Sequence, residues 1–189
     1  MSRLSVPETV ALIAQVRAGN EAAFGALVAA HLRPAYLAAL AIVCRPSDAD
    51  DVAQDAFLIA FERLDSCREP ARFSGWLLRI VRNHALNWVA RRRLHDVLPE
   101  PPEQITNASA PTEPSEPVVR AALLVALSTL TPPQREVVLL HEIEEWSHAE
   151  IAAALEISEV MSRQHLLVAR RRLRENLTPV LPQEVNHGT

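Results

Sequence analysis

The stretch Ser147–Asn176, SHAEIAAALEISEVMSRQHLLVARRRLREN, decides the fold. SHAE at 147–150 has the form of a capping box, a serine that can accept from the backbone three residues on and a glutamate that can reach back. A helix from Ser147 to about Glu156, a tight turn and a second helix starting near Ser158 match a helix-turn-helix, whose second helix enters the major groove N-terminus first. On the wheel of that second helix Ser162, Leu166, Ala169, Leu173 and Leu177 face inward. Arg163, Gln164 and His165 lie outward and early, within reach of base edges, whereas Arg170, Arg171, Arg172 and Arg174 come late and suit phosphates. Helical hairpins can mimic this pattern, so the remainder of the chain has to weigh in.

Composition points the same way. The chain has 189 residues, 49% of them apolar, enough for one medium domain or two small ones with a packed core. Only 4 Gly and 4% aromatic residues, beside abundant Ala and Leu, favour helices over sheets. The net charge of −4 argues at first against a nucleic-acid partner, but its distribution does not. All 19 basic residues are Arg, and Arg79, Arg82, Arg91, Arg92 and Arg93 share a window without an acid. The acids gather elsewhere, at Asp48, Asp50, Asp51 and Asp55 and after Arg93. Two basic faces on an acidic background are a footprint of DNA binding. No unbroken apolar run of about 18 residues is present, and the start MSRLSVPETV lacks the layout of a secretion signal; a cytoplasmic protein without membrane insertion is expected. Cys44 and Cys67 form no CxxC or Cys/His cluster and read as buried free thiols.

Residues 94–117, LHDVLPEPPEQITNASAPTEPSEP, hold six of the 14 prolines, five acids and no arginine. Repeated Pro opposes a helix and the polarity offers nothing to a core, so this is a linker. The expected division is 1–96, a linker at 97–117, 118–178, and a tail at 179–189. SVPE at 5–8 fits a capping box, and Gly19-Asn20 breaks the first helix. Further helices are expected from about Asp48 to Leu64 and Ser74 to Arg93, and TPPQ at 131–134 opens another. The fold class is all-α, with no segment alternating strictly enough for a strand.

Two helices carry mixed surfaces. Over residues 76–93, Leu77, Leu78, Ile80, Val81, Ala85, Trp88 and Val89 share an apolar arc with His84 inside it. Trp76, Arg79, Arg82, Asn83, Leu86 and Asn87 lie opposite. Trp76 on the arginine side fits two readings: a partly buried Trp under a solvated Arg face, which the wheel favours, or a platform for an unpaired base. In DADDVAQDAFLIAFERL, the early acids suit the helix dipole. Asp51, Gln54, Asp55 and Leu58 also make an outward surface suited to a basic partner, and the wheel does not choose. No Gly-rich phosphate loop, nucleophile motif or paired metal ligands occur. His141 and His148 are seven apart without a third ligand and read as dispersed surface or capping histidines. No catalytic residue, metal or cofactor is therefore expected.

In order along the chain, these pieces resemble the sigma-70 family of bacterial transcription initiation factors, of the extracytoplasmic-function (ECF) type. DADDVAQDAFLIAFERL looks like its polymerase-docking segment, ARFSGWLLRIVRNHALNWVARRR like the segment that recognises and melts the −10 element, and LSTLTPPQREVVLLHEIEEWSHAEIAAALEIS like the −35-binding domain. The resemblance implies that Asp51, Gln54, Asp55 and Leu58 face the clamp helices of the polymerase β′ subunit. It implies that the loop DSCREPAR, 65–72, helps capture a flipped −10 base, with Arg72, Trp76, Arg79, Arg82, Asn83, Asn87 and Arg91 as −10 residues. It implies −35 contacts by Ser158, Met161, Arg163, Gln164, His165, Arg170, Arg171 and Arg174. The partners it implies are core RNA polymerase through the β′ clamp helices and β flap, promoter DNA, and an anti-sigma factor; it implies no enzyme activity.

The recognition helix departs from the family string Leu-Gly-Ile-Ser-Glu-Gly-Thr-Val-Lys-Ser-Arg-Leu. A gapless match puts Glu156 and Val160 at the two glycines, Met161 at Thr, Ser162 at Val and His165 at Arg. A positive φ at Glu156 would cost about 1 kcal/mol, which a packed domain tolerates. Leu167 and Val168, expected outward, stand where the family is commonly polar. Two other readings remain: a stand-alone helix-turn-helix regulator, and a sigma-like decoy that docks without reading promoters.

Overall fold

The structure, a computed structural model, describes residues 4–95 and 116–177. Among them the chain is all-α, with eight α-helices and no strand. The first group comprises α1 (Val6–Arg17), α2 (Ala22–Val43), α3 (Pro46–Glu62) and α4 (Phe73–His95), with 3-10 turns Leu64–Ser66 and Pro70–Arg72 before α4. The second comprises α5 (Glu116–Ser128), α6 (Pro132–Glu142), α7 (His148–Leu155) and α8 (Glu159–Leu177). The segment expected to be a linker and the tail lie almost wholly outside the described residues. α5 begins at Glu116, inside the expected linker, because a proline such as Pro117 is tolerated in a first helical turn.

Helix starts follow local chemistry. Ser5 and Glu8 close a capping box on α1: the Ser5 N–H donates to Glu8 Oε2 at 2.8 Å and the Glu8 N–H to Ser5 Oγ at 3.4 Å. The Ser5 hydroxyl, donating to Glu8 Oε2 at 2.6 Å, and then the Ser5 N–H favour the ionised form and hold the Glu8 carboxyl below its ordinary pKa. Ser147 and Glu150 repeat the arrangement on α7, at 2.8 and 3.3 Å. The Thr131 N–H donates to Gln134 Oε1 at 3.1 Å at the start of α6. α3 starts two residues before the expected Asp48, because Arg45 is extended and Pro46 presets the helical φ.

α2 is long and apolar enough by length and composition to cross a membrane, although His31, Arg33 and Pro34 interrupt its apolar run. Half of that window is buried within the protein, and α2 packs on α1, α3, α4 and α6. A core helix meets the same criteria. Ile13, Leu27, Val52, Phe73, Leu77 and Val81 from the first group and Val137, Leu140, Ile151 and Leu166 from the second belong to one connected core. The two groups meet where α2 lies on α6 and α4 on α7. At the second crossing a Cβ on Gly75 would stand 3.2 Å from Ala154 Cα and 3.4 Å from Ala153 O, so glycine permits a nearly backbone-to-backbone approach. Cys67 is buried as expected, but Cys44 is only half-buried: it ends α2 in the left-handed region, φ 60°, which turns it toward the rim. Burial raises the pKa of both thiols, which keeps them protonated and poorly nucleophilic.

Candidate nucleic-acid interface

α7, the turn and α8 form the helix-turn-helix. The turn residue Glu156 has φ 57° and ψ 40°, the left-handed conformation for which a glycine is usual, as the gapless match requires. Ser158 Oγ accepts from the Met161 N–H at 3.1 Å and caps α8. Ser162, Leu166 and Ala169 are buried, with Leu173 packed beside them, so the inward stripe is real. Ser162 Oγ lies 2.9 Å from His148 Nδ1, which ties the two helices together.

The early residues of α8 Ser158, Met161, Arg163 and Gln164 are exposed, and Arg163 is braced by Glu159 at 2.7 Å. His165, expected to be exposed with them, is half-buried, because it sits three residues from Ser162 on the rim of the inward stripe. Leu167 is exposed and Val168 half-buried. Later, Arg170, Arg171 and Arg174 are exposed. Arg170 pairs with Glu142 at 2.6 Å, and half-buried Arg172 donates to the Thr129 carbonyl at 3.4 Å.

On α4 the apolar arc is divided in depth. Leu77, Leu78, Val81 and Ala85 are buried; Ile80, Trp88 and Val89 are half-buried. On the opposite arc Trp76 is half-buried against Phe73, with ring centroids 5.7 Å apart. Arg72, Arg79, Asn83, Asn87 and Arg91 are exposed. Arg72 pairs with Glu69 at 3.1 Å and Arg79 with Glu156 at 3.5 Å. Arg82 is not a solvated reader here: it reaches Glu136 at 3.0 Å.

On α3, Asp51, Gln54 and Leu58 form an exposed row at helical spacing, with Leu58 65% exposed. Asp55 sits beside them but bonds His84 of α4 at 3.1 Å, so it fastens α3 to α4 as well. Asp48, near the positive end of the α3 dipole, is buried and pairs with Arg92 of α4.

Sequence patterns missed the cross-group charges. Arg135 and Glu136 are both buried, directly before the apolar run Val137–Leu140 of α6. Arg135 donates to the carbonyls of Leu127, Ser128 and Leu130 and to that of Ala41, so one guanidinium gathers the C-terminal carbonyls of α5 and α2. Burial pushes Glu136 up to about 7 despite Arg82 and Arg135. The charged pair Arg135–Glu136, set directly before VVLL at 137–140, was the available signal. The histidines read as dispersed are not: the rings of His141 and His148 stack with centroids 4.8 Å apart, because α7 turns back on α6. Partial desolvation, then His141, lower the pKa of His148. Among the described residues no group of three or more His, Cys, Asp and Glu could hold a metal ion.

The fold places an exposed, arginine-bearing helix after a tight turn, a Trp/Arg face on a second helix and the row of Asp51, Gln54 and Leu58 on a third. Family models for sigma-70 region 2 and sigma-70 region 4 match residues 27–95 and 120–173. The chain belongs to the sigma-70 family. It is 32% identical over 163 residues to the ECF RNA polymerase sigma factor SigM of Mycobacterium tuberculosis, a match covering 86% of this chain and 81% of that one. It is 32% identical over 166 residues to the probable RNA polymerase sigma factor RfaY of Xanthomonas campestris, covering 85% of this chain but 42% of that longer protein. Its fold is similar to the solved structure of CnrH in complex with the cytosolic domain of CnrY, with TM-score 0.66, 30% identity and coverage of 91% of this chain and 98% of that one. This sigma factor is accordingly of the ECF type, with region 2 in α2–α4 and region 4 in α5–α8.

Proposed function

We propose that this sigma factor binds core RNA polymerase and directs it to a subset of promoters by recognising −10 and −35 elements. The observation that carries the reading is the succession of region 2 and region 4 on one chain, each with an outward surface of suitable chemistry. In this reading Asp51, Gln54, Asp55 and Leu58 meet the β′ clamp helices, and region 4 meets the β flap. The −10 residues are Arg72, Trp76, Arg79, Arg82, Asn83, Asn87 and Arg91; melting draws on binding energy, since stacking on an aromatic suits an unpaired base. The −35 residues are Ser158, Met161, Arg163, Gln164, His165, Arg170, Arg171 and Arg174, the early ones toward bases and the late ones toward phosphates.

The functional division is 1–96 for docking and −10 recognition, 97–117 as tether, 118–178 for −35 recognition and 179–189 as tail. The polymerase supplies the chemistry, so this chain acts in the cytoplasm as a non-enzymatic subunit. An anti-sigma partner fits the reading, as the solved complex of CnrH with CnrY illustrates for a relative. The test is run-off transcription from a promoter library by core polymerase, with and without this chain. Chain-dependent transcripts from a defined promoter subset are expected. Binding to polymerase with no promoter opened would instead favour a sigma-like decoy.

A further inference from the structure

The outward ridge of α8 is partly aliphatic. Opposite the buried stripe of Ser162, Leu166 and Ala169, the residues at helical spacing are Val160, Gln164, Leu167 and Arg171. All four are exposed, Val160 to 70% and Leu167 to 71%. Val160 and Leu167 bracket Gln164, and the three span about 10 Å along the helix axis, on the order of three base-pair steps. Arg163 lies to one side of this row and is held by Glu159 at 2.7 Å. The front of the helix therefore presents one amide between two aliphatic side chains. Val160 stands at the second glycine of the family string, so this surface belongs to this chain and is not supplied by the family. The surroundings restrict what can cover it. Arg170, Arg171 and Arg174 are exposed just beyond, which calls for an anionic partner. A ridge also calls for a groove, and two separated aliphatic groups call for isolated apolar groups on its floor.

The major groove of duplex DNA meets all three conditions. Phosphates line its rims, and the 5-methyl of thymine is the apolar group that a base pair presents there. The Gln164 amide matches the N6/N7 edge of adenine, the partner of thymine, so all three side chains suit A·T pairs. We infer that Val160 and Leu167 determine specificity by meeting thymine methyl groups on either side of an adenine bound by Gln164. The −35 element of this chain then contains a short A·T run that includes two thymines in contact with the helix. The inference deepens the proposed −35 reading of α8 and rests on it. It assigns Val160 and Leu167 a role that the arginines cannot fill, because a methyl group offers a guanidinium no hydrogen bond.

The test removes the methyl from the DNA and its partner from the protein. The full chain, alone and joined to core polymerase, selects binders from a random-sequence duplex library. The enriched duplexes are then made again with deoxyuridine in place of thymine, one position at a time. Two thymines are expected at which loss of the methyl weakens binding by about fourfold each. Leu167→Ser should abolish the difference between thymine and uracil at one of them and Val160→Ser at the other. Both side chains are exposed, so neither change disturbs the core of region 4. Gln164→Ala should lower the preference for adenine while leaving both methyl effects in place. No enriched duplex, or equal affinity for thymine and uracil throughout, would overturn the inference. So would a thymine preference that persists in both serine variants, since it would then come from DNA shape. Run-off transcription with the same proteins separates this result from the broader reading. Methyl effects on duplex DNA with no promoter opened would sink the sigma reading and leave the thymine contacts standing. Promoter-specific transcription that ignores the methyls would do the reverse.

Discussion

Glu156 shows how much one residue can settle. Its φ of 57° is a conformation that glycine adopts without the Cβ conflict felt by every other residue. Glu156→Gly should therefore stabilise the chain by about 1 kcal/mol, less whatever the Arg79 pair contributes, and thermal unfolding would register it as a rise of a few degrees. That pair is exposed on both sides, and its share is correspondingly small. A fall in the midpoint would mean that the Arg79–Glu156 pair outweighs the backbone strain. Further along α8, the proposed reading gives early and late arginines different tasks. Arg163→Ala and Gln164→Ala should shift −35 sequence preference, each by roughly 1–3 kcal/mol of discrimination, whereas Arg171→Ala should weaken binding evenly across sequences. Promoter-variant binding at two salt concentrations distinguishes them. Equal, sequence-blind losses from all three would show that the division into base and phosphate contacts is wrong.

At the scale of an element, α7 is the most dependent on its cap. It has eight residues, too few for stability from its own hydrogen bonds, and its free N–H groups are served by the Ser147–Glu150 box. Ser147→Ala should cost about 1 kcal/mol and loosen α7 before the rest of region 4. Amide exchange should show that loss concentrated in 148–155; an even loss of protection over α5–α8 would mean that packing, not the cap, holds α7. α4 teaches the opposite lesson. Its wheel correctly sorted Leu77, Leu78, Val81 and Ala85 into the core, yet it could not say what lay above Arg79 and Arg82. A helix wheel records direction but not the neighbour met in that direction. His165 and Cys44 also departed from expectation, each at a boundary: His165 on the rim of the inward stripe of α8, Cys44 at the left-handed end of α2.

For the whole molecule, the junction of regions 2 and 4 carries an ionisable group away from water. Glu136 is 1% exposed, faced by Arg82 from α4 and flanked by Arg135 on its own helix, and burial raises its pKa to about 7. The folded chain then binds a proton that the unfolded chain releases between its ordinary value of 4.5 and about 7. The contribution of Glu136 to stability is greatest below the unfolded value and declines as pH rises through that window. Glu136→Gln, which mimics the protonated side chain, should be more stable than the parent at pH 8 and converge with it near pH 4.5. Denaturant unfolding of both proteins across that range checks the sign. A variant less stable than the parent at pH 8 would show that the ion pair with Arg82 outweighs the desolvation of the carboxylate.

Local chemistry determined the all-α class, the helix starts at Ser5, Thr131 and Ser147, the inward stripe of α8 and the turn at Glu156. These are legible because caps, proline and apolar periodicity act over three or four residues, the distance within which sequence neighbours are also spatial neighbours. The ordered resemblance of three segments placed the family before any tertiary contact was known. Tertiary structure alone decided that Arg82 meets Glu136, that Arg135 joins the ends of α2 and α5, that His141 stacks on His148, and that α7 lines the cleft beside Trp76. Each depends on bringing distant helices together. The energy of such a contact comes from desolvation and exact placement of a partner, neither of which has a period along the chain.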